Sequence, residues 1–355
     1  MSNYWSDIVR DLEPYTPGEQ PQGDNITKLN TNENPYGPSP AVLRAIANRL
    51  NEDLRRYPPP DAGELRQAIA DYYQLSAEQV FVGNGSDEVL AHVFKGLLNH
   101  PAQGPLLFPD ISYSFYPVFC RLFDIQFDQV PLADDFSVDL DHYRRPNGGI
   151  IFANPNAPTG MLVPLSDIEN LLIDNPQSVV VVDEAYIDFG GQSAISLVNR
   201  YPNLLVVHTL SKSRSLAGMR IGYAIGSAEL IAGLDRVKNS FNSYPLSHLQ
   251  IAAGVAAFAD QEHFNHTQQL VITERQRLTE QLQGLGFEVL PSEANFVFAR
   301  HGQHRATSIA AYLREKNIVI RHFQKPRIDQ FLRITVGTQD QNNLLLDALK
   351  SHLRT

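Results

Sequence analysis

Lysine is scarce in this chain, with seven in 355 residues, and one of them sits where chemistry is expected. Lys212 follows the apolar run 204–208 and the turn Thr209-Leu210-Ser211. An ammonium at a strand end, partly shielded from water, shifts toward its neutral, nucleophilic form. The plainer reading is a solvated loop lysine. Asp183 ends a run of four valines, 179–182. A carboxylate directly behind a buried strand is costly unless paired, so it wants a metal, an arginine or a protonated ring nitrogen. Glu184 competes with it, since one of the two could face water. No HExxH or EF-hand pattern supplies metal partners.

Two turns add to this set. Gly83-Asn84-Gly85-Ser86-Asp87-Glu88 precedes an amphipathic stretch, and free amides at a helix start hold phosphate. It lacks the third glycine of a dinucleotide fingerprint, and no GxxxxGK occurs anywhere. The bland alternative is a helix capped by Ser86. Asn154-Pro155-Asn156-Ala157-Pro158-Thr159-Gly160 makes a rigid turn that either aims the Asn154 amide or is merely structural.

The elements that must position these residues follow a repeated grammar. Short runs rich in Val, Ile and Leu, near 80–82, 106–108, 150–153, 179–182 and 204–208, each lead into a polar turn. Such runs fit parallel strands buried on both faces, and ligands bind beyond the carboxyl ends of strands in open α/β sheets. Helices are expected at 39–50, with Ser39 capping and Pro40 first, and at 63–73. After Asn239 the pattern changes to a long helix over 245–285, then four strands around a helix at 307–316. The expected fold is α/β: a mostly parallel sheet covered by helices, with a smaller α+β domain. Residues 1–40 are an arm joining the small domain, 41–245 the large domain and 246–355 the small one.

Composition excludes other classes. Twenty-nine basic against 39 acidic residues give a net charge of −10, unsuited to general nucleic-acid binding. The single cysteine, Cys120, rules out an intrachain disulfide or a multi-cysteine zinc site. No apolar run approaches the ~18–20 residues of a membrane span. Asp7, Arg10, Asp11 and Glu13 do not fit a secretion signal. A soluble cytoplasmic protein is expected.

The asparagine turn, the aspartate after a strand, Ser211-Lys212 and Arg220 eight residues on together resemble the aspartate-aminotransferase superfamily, the fold-type-I pyridoxal-phosphate enzymes. The likeness covers nearly the whole chain. Within that superfamily it is greatest to the histidinol-phosphate aminotransferase subgroup, through Leu29-Asn30-Thr31-Asn32-Glu33-Asn34-Pro35-Tyr36-Gly37, Arg56-Tyr57-Pro58, Val182-Asp183-Glu184-Ala185-Tyr186-Ile187-Asp188-Phe189 and Leu332-Arg333-Ile334-Thr335-Val336-Gly337.

That resemblance implies pyridoxal 5′-phosphate bonded through its aldehyde to Lys212, which later shuttles a proton as a free amine. Asp183 would pair with the pyridine nitrogen. Tyr186 and Asn154 would donate to the ring's phenolic oxygen, and Tyr113 would stack over the ring, with Tyr116 its rival. The cofactor phosphate would sit on Ser86, Asp87, Ser211 and Arg220. Tyr57 would reach it from the neighbouring subunit of a homodimer. Arg333 would hold the substrate carboxylate or phosphate, and Arg321, Tyr15 and Asn34 would complete the substrate side. The implied reaction passes an amino group from histidinol phosphate to 2-oxoglutarate. An aromatic amino-acid aminotransferase, a threonine-phosphate decarboxylase-like lyase and a non-enzymatic ligand-binding protein share the scaffold. Two features depart from the family pattern. Ala157 stands where many relatives have a second asparagine, and Lys325 and Arg327 belong either to phosphate recognition or to solvent.

Overall fold

Four of the buried apolar runs become neighbouring parallel strands in the computed structural model, which describes residues 4–21, 23 and 25–354. In chain order the strands are β1 (Thr27–Leu29), β2 (Val80–Gly83), β3 (Leu106–Pro109), β4 (Phe127–Val130), β5 (Ile150–Ala153), β6 (Val180–Asp183), β7 (Leu204–Thr209), β8 (Gly222–Gly226), β9 (Phe287–Val289), β10 (Phe296–His301), β11 (Ile318–His322) and β12 (Leu332–Thr335). The large sheet has the order β2-β8-β7-β6-β5-β3-β4. All its pairs are parallel except those of β8, which runs antiparallel to both β2 and β7. Val180, Val181 and Val182 are wholly buried. Each such valine contributes roughly 1.5–3 kcal/mol of burial, which is why the run carries no polar alternation.

Register brings the chemistry to one edge. Ala153, Asp183 and Val207 lie level across β5, β6 and β7, so the loops after β5 and β6 start together and β7 runs two residues further, to Thr209. Gly222, the first residue of β8, faces both Thr209 and Gly83. The reversed strand therefore delivers Arg220 to the same edge. The sequence reading passes over β8, whose glycine-bounded run carries no strand punctuation, and over β4, an edge strand carrying Asp128 and Gln129.

The second sheet has the order β1-β11-β12-β10-β9, with β1 parallel to β11 and the other pairs antiparallel. The amino-terminal arm thus completes a sheet built from the far end of the chain. Ser39 caps the helix Pro40–Ala47 by accepting from the Val42 amide at 3.2 Å. The long helix expected over 245–285 is two helices, His248–Ala259 and Gln261–Gly284. Asp260 separates them and caps the second through the His263 amide. The first lays Ile251, Ala253, Ala257 and Phe258 into the large sheet's core, although the sequence boundary at 245 assigns it to the small domain. Its nearly all-apolar surface needs that cover. Among the described residues no helix is long and apolar enough to cross a membrane.

Candidate active site

The loops leaving β5, β6 and β7 meet the amino end of the helix Gly85–Leu97 around a cavity of about 250 Å³. A second cavity, of about 220 Å³, opens beside it and shares Thr31, Tyr113, Ala157, Tyr186 and Lys212 with the first.

One end of the first cavity is built for an anion. Ser86, Asp87, Ser211 and Arg220 line it, combining a helix amino terminus with a guanidinium. Ser86 is not the cap. The helix starts at Gly85, whose φ is +81°, and no side chain caps it. A Cβ on Gly85 would stand 2.4 Å from the Arg220 guanidinium, and one on Gly222 would stand 2.3 Å from the Ser86 nitrogen. Glycine at both positions is what lets the β8 segment press against the helix start. Arg220 pairs with Asp87 Oδ2 at 3.1 Å, and the Tyr113 hydroxyl donates to Asp87 Oδ1 at 2.8 Å.

The middle of the cavity holds the buried carboxylate. Asp183 Oδ2 accepts from the Tyr116 hydroxyl at 2.9 Å, while Oδ1 is buried without a partner. Burial pushes the Asp183 carboxyl up to about 6, and the Tyr116 hydrogen bond partly offsets this. Glu184 does not face water. It is buried, pairs with His208 Nε2 at 2.9 Å and accepts from the Ala194 amide at 2.7 Å. Lys212 Nζ donates to the Thr31 carbonyl at 3.2 Å and lies 5.7 Å from the centre of the Tyr186 ring. An unpartnered carboxylate oxygen, a tyrosine, a lysine and an anion-binding end suit a flat heterocycle with a protonated nitrogen and an anionic tail.

The second cavity is cationic. Lys212, Arg321, Lys325 and Arg333 line it, and among the described residues no carboxylate does. Arg321 and Arg333 are register partners across β11 and β12, a like-charge pairing that is unfavourable without an anion. Both guanidiniums lie over the Phe323 ring, at 5.4 and 5.5 Å. Arg333 is half-buried; its Nη2 donates to the Asn30 carbonyl at 2.9 Å, and its buried Nε has no partner. Burial holds this guanidinium below its usual range. Tyr15 lines the cavity and packs on Phe115 at 5.1 Å. Of the two cations whose place the sequence left open, Lys325 lines the cavity and donates to the Asp110 carbonyl. Arg327 instead clamps the carbonyls of Leu132 and Ala133 and lies over the Phe136 ring.

Residues 24–349 match the family model described as aminotransferase class I and II. The chain belongs to this aminotransferase family. It is 61% identical over 349 residues to histidinol-phosphate aminotransferase 1 of Methylococcus capsulatus, covering 98% of this chain and 97% of that one. The histidinol-phosphate aminotransferase 1 of Pseudomonas aeruginosa is also 61% identical, covering 98% and 99%. The aminotransferase fold is seen directly in the histidinol-phosphate aminotransferase of Sinorhizobium meliloti, solved in complex with pyridoxal-5′-phosphate, at a TM-score of 0.88 and 24% identity over 100% of this chain and 98% of that one. The L-threonine-O-3-phosphate decarboxylase of Porphyromonas gingivalis shares the scaffold at 0.79 and 25%, over 93% and 100%.

Two residues expected at the aminotransferase site, Asn154 and Asn34, are engaged elsewhere. The Asn154 amide is fully buried, donating to the Val163 carbonyl at 3.1 Å and accepting from the Val163 amide at 2.8 Å. It closes its own loop, and Ala157 presents a methyl to the cavity instead. Asn34 donates to the Ser213 carbonyl and accepts from the Tyr36 amide. Tyr57 is 81% exposed and stacks on Tyr244 at 4.8 Å, away from both cavities of its own chain. Two residues were missed as partners. Tyr116 was weighed only for ring stacking. Asn32, inside a quoted motif, donates to the Tyr186 hydroxyl at 3.0 Å. Nothing local in the sequence marks either contact.

Proposed function

We propose that this aminotransferase holds pyridoxal 5′-phosphate and passes the amino group of L-histidinol phosphate to 2-oxoglutarate, giving imidazole-acetol phosphate and glutamate. The observation that carries the substrate is the facing pair Arg321 and Arg333 in a cavity that, among the described residues, no carboxylate lines. A phosphate monoester and a carboxylate both satisfy a guanidinium fork, so one pocket serves the phosphorylated donor and the amino-acid product. The relatives at 61% identity bear names that agree.

The site fits the cofactor. The free Oδ1 of Asp183 matches a protonated pyridine nitrogen, and the Ser86–Asp87 helix start with Ser211 and Arg220 matches its phosphate. When bound, the cofactor supplies an electron sink for the carbanion next to the nitrogen. Asp183 keeps the ring nitrogen protonated. Tyr113 would cover one ring face, and Tyr186 would donate to the phenolic oxygen. Lys212 would hold the cofactor, and its freed amine would carry the proton from the substrate carbon to the cofactor's C4′ carbon. Arg321 and Arg333 would hold the anionic group of the substrate in the second cavity. Tyr15 closes the outer side.

Tyr57 lies outside its own chain's cavities and stacks on Tyr244, and both rings are exposed. A homodimer in which Tyr57 reaches the partner's phosphate end accounts for this, in a soluble cytoplasmic enzyme. The test compares histidinol phosphate, phenylalanine, tyrosine and threonine phosphate as donors. Histidinol phosphate should have the highest kcat/KM. Equal or better rates with the aromatics, or release of carbon dioxide from threonine phosphate, would overturn the assignment. Lys212→Ala should abolish turnover while leaving the protein folded.

A further inference from the structure

Asn32 and Thr335 stand 303 positions apart and share two hydrogen bonds in a buried corner. The Asn32 backbone amide donates to Thr335 Oγ1 at 3.0 Å. A backbone N–H can only donate, so the threonine oxygen is the acceptor there. Its own proton goes to the Asn32 side chain, also at 3.0 Å, and must meet the carbonyl edge, Oδ1. That fixes which way the amide points. The opposite edge, Nδ2, faces the Tyr186 hydroxyl at 3.0 Å and donates to it. The Tyr186 oxygen is therefore already an acceptor, and its own proton is left for the cavity it lines.

The rest of the corner holds Asn32 still. Its carbonyl accepts from Asn295 Nδ2 at 3.0 Å, and its φ of +55° is one that asparagine tolerates better than most residues. The Tyr186 ring packs edge-on against Phe296 at 5.1 Å. Asn32 follows β1 in the arm, Thr335 ends β12 and Phe296 starts β10. The small sheet thus sets the polarity of a hydroxyl carried on the large one.

We propose that Asn32, oriented by Thr335, is a positioning residue that makes Tyr186 an obligate hydrogen-bond donor to the phenolic oxygen of the bound cofactor. This rests on the reading above that the cavity takes pyridoxal 5′-phosphate with that oxygen toward Tyr186. A donor to an anionic oxygen favours the deprotonated form of the lysine-bound cofactor. Losing the donor therefore raises the pH at which the visible band changes.

The experiment adds pyridoxal 5′-phosphate to purified apoprotein, titrates the visible absorbance against pH and measures affinity by quenching of protein fluorescence. Asn32→Asp keeps the shape but can only accept, drawing the Tyr186 proton away from the cavity. Thr335→Val removes the orienting hydroxyl and Thr335→Ser retains it. Asn32→Asp and Thr335→Val should raise the midpoint by about one pH unit, the scale of one charge-assisted hydrogen bond, as Tyr186→Phe does. Thr335→Ser should stay at the wild-type midpoint. If Thr335→Val stays at the wild-type value while Tyr186→Phe moves, the orienting role is wrong. If Thr335→Ser shifts as far as Thr335→Val, the effect is packing and the inference fails. A wild-type protein with no Lys212-dependent visible band would instead sink the cofactor assignment itself.

Discussion

The Tyr116 hydroxyl donates to Oδ2 of Asp183 at 2.9 Å, and both residues are buried. The bond occupies one carboxylate oxygen and leaves the other for a ligand. It also holds the acid lower than burial alone would. Tyr116→Phe should therefore weaken cofactor binding by ~1–2 kcal/mol, roughly a tenfold rise in Kd. Equilibrium titration of the apoprotein measures it, and an unchanged Kd would show that the hydroxyl is only packing.

The raised acid of Asp183 has a consequence for pH. Its folded value, about 6, lies above the ordinary aspartate value of 3.8, so between these values the folded chain binds more protons than the unfolded one. This group makes the apoprotein lose stability as pH rises from about 4 to 6. Cofactor whose ring nitrogen is protonated offsets that loss, because it pairs with the charged carboxylate. The difference in Tm between holo- and apoprotein should grow across this interval. Asp183→Asn should flatten the difference, and its persistence in that variant would contradict the assignment.

Arg321 faces Arg333 across two strands, and among the described residues the charged side chains lining the cavity are all cationic. Arg321→Ala should raise KM for histidinol phosphate far more than for glutamate. Removing one charge-assisted contact to a bound anion is expected to cost on the order of 2–4 kcal/mol. Equal losses for both substrates in steady-state kinetics would place Arg321 outside the phosphate contact.

The two cations of the loop between β11 and β12 should separate. Lys325→Ala should lower kcat/KM for the phosphorylated donor, because Lys325 lines the cavity and one carbonyl leaves its other donors open. Arg327→Ala should lower Tm with little kinetic effect, because its guanidinium is spent on two carbonyls and the Phe136 ring. Parallel kinetics and thermal melts distinguish them. The opposite pattern would exchange their roles.

Cys120 is buried, and that burial pushes its thiol up to about 12. What the sequence determined by itself were the demands that neighbouring residues create. A carboxylate behind four valines must find a partner, a lysine after a buried strand must be shielded, and glycines before a helix must leave amides free. Asp183, Lys212 and the Ser86–Asp87 turn were legible for those reasons, as was the α/β alternation that sets them on one edge. Which partner each group finds was decided only by tertiary structure. The asparagine turn read as aiming Asn154 at a ligand, yet the Val163 backbone needs both its groups. Asn34 went likewise to the Ser213 carbonyl. Tyr116 meets Asp183 across 67 positions, and Arg321 faces Arg333 through strand register. Local sequence sets what each side chain can donate or accept. Long-range packing decides which of those capacities the fold consumes and which it leaves open for a ligand.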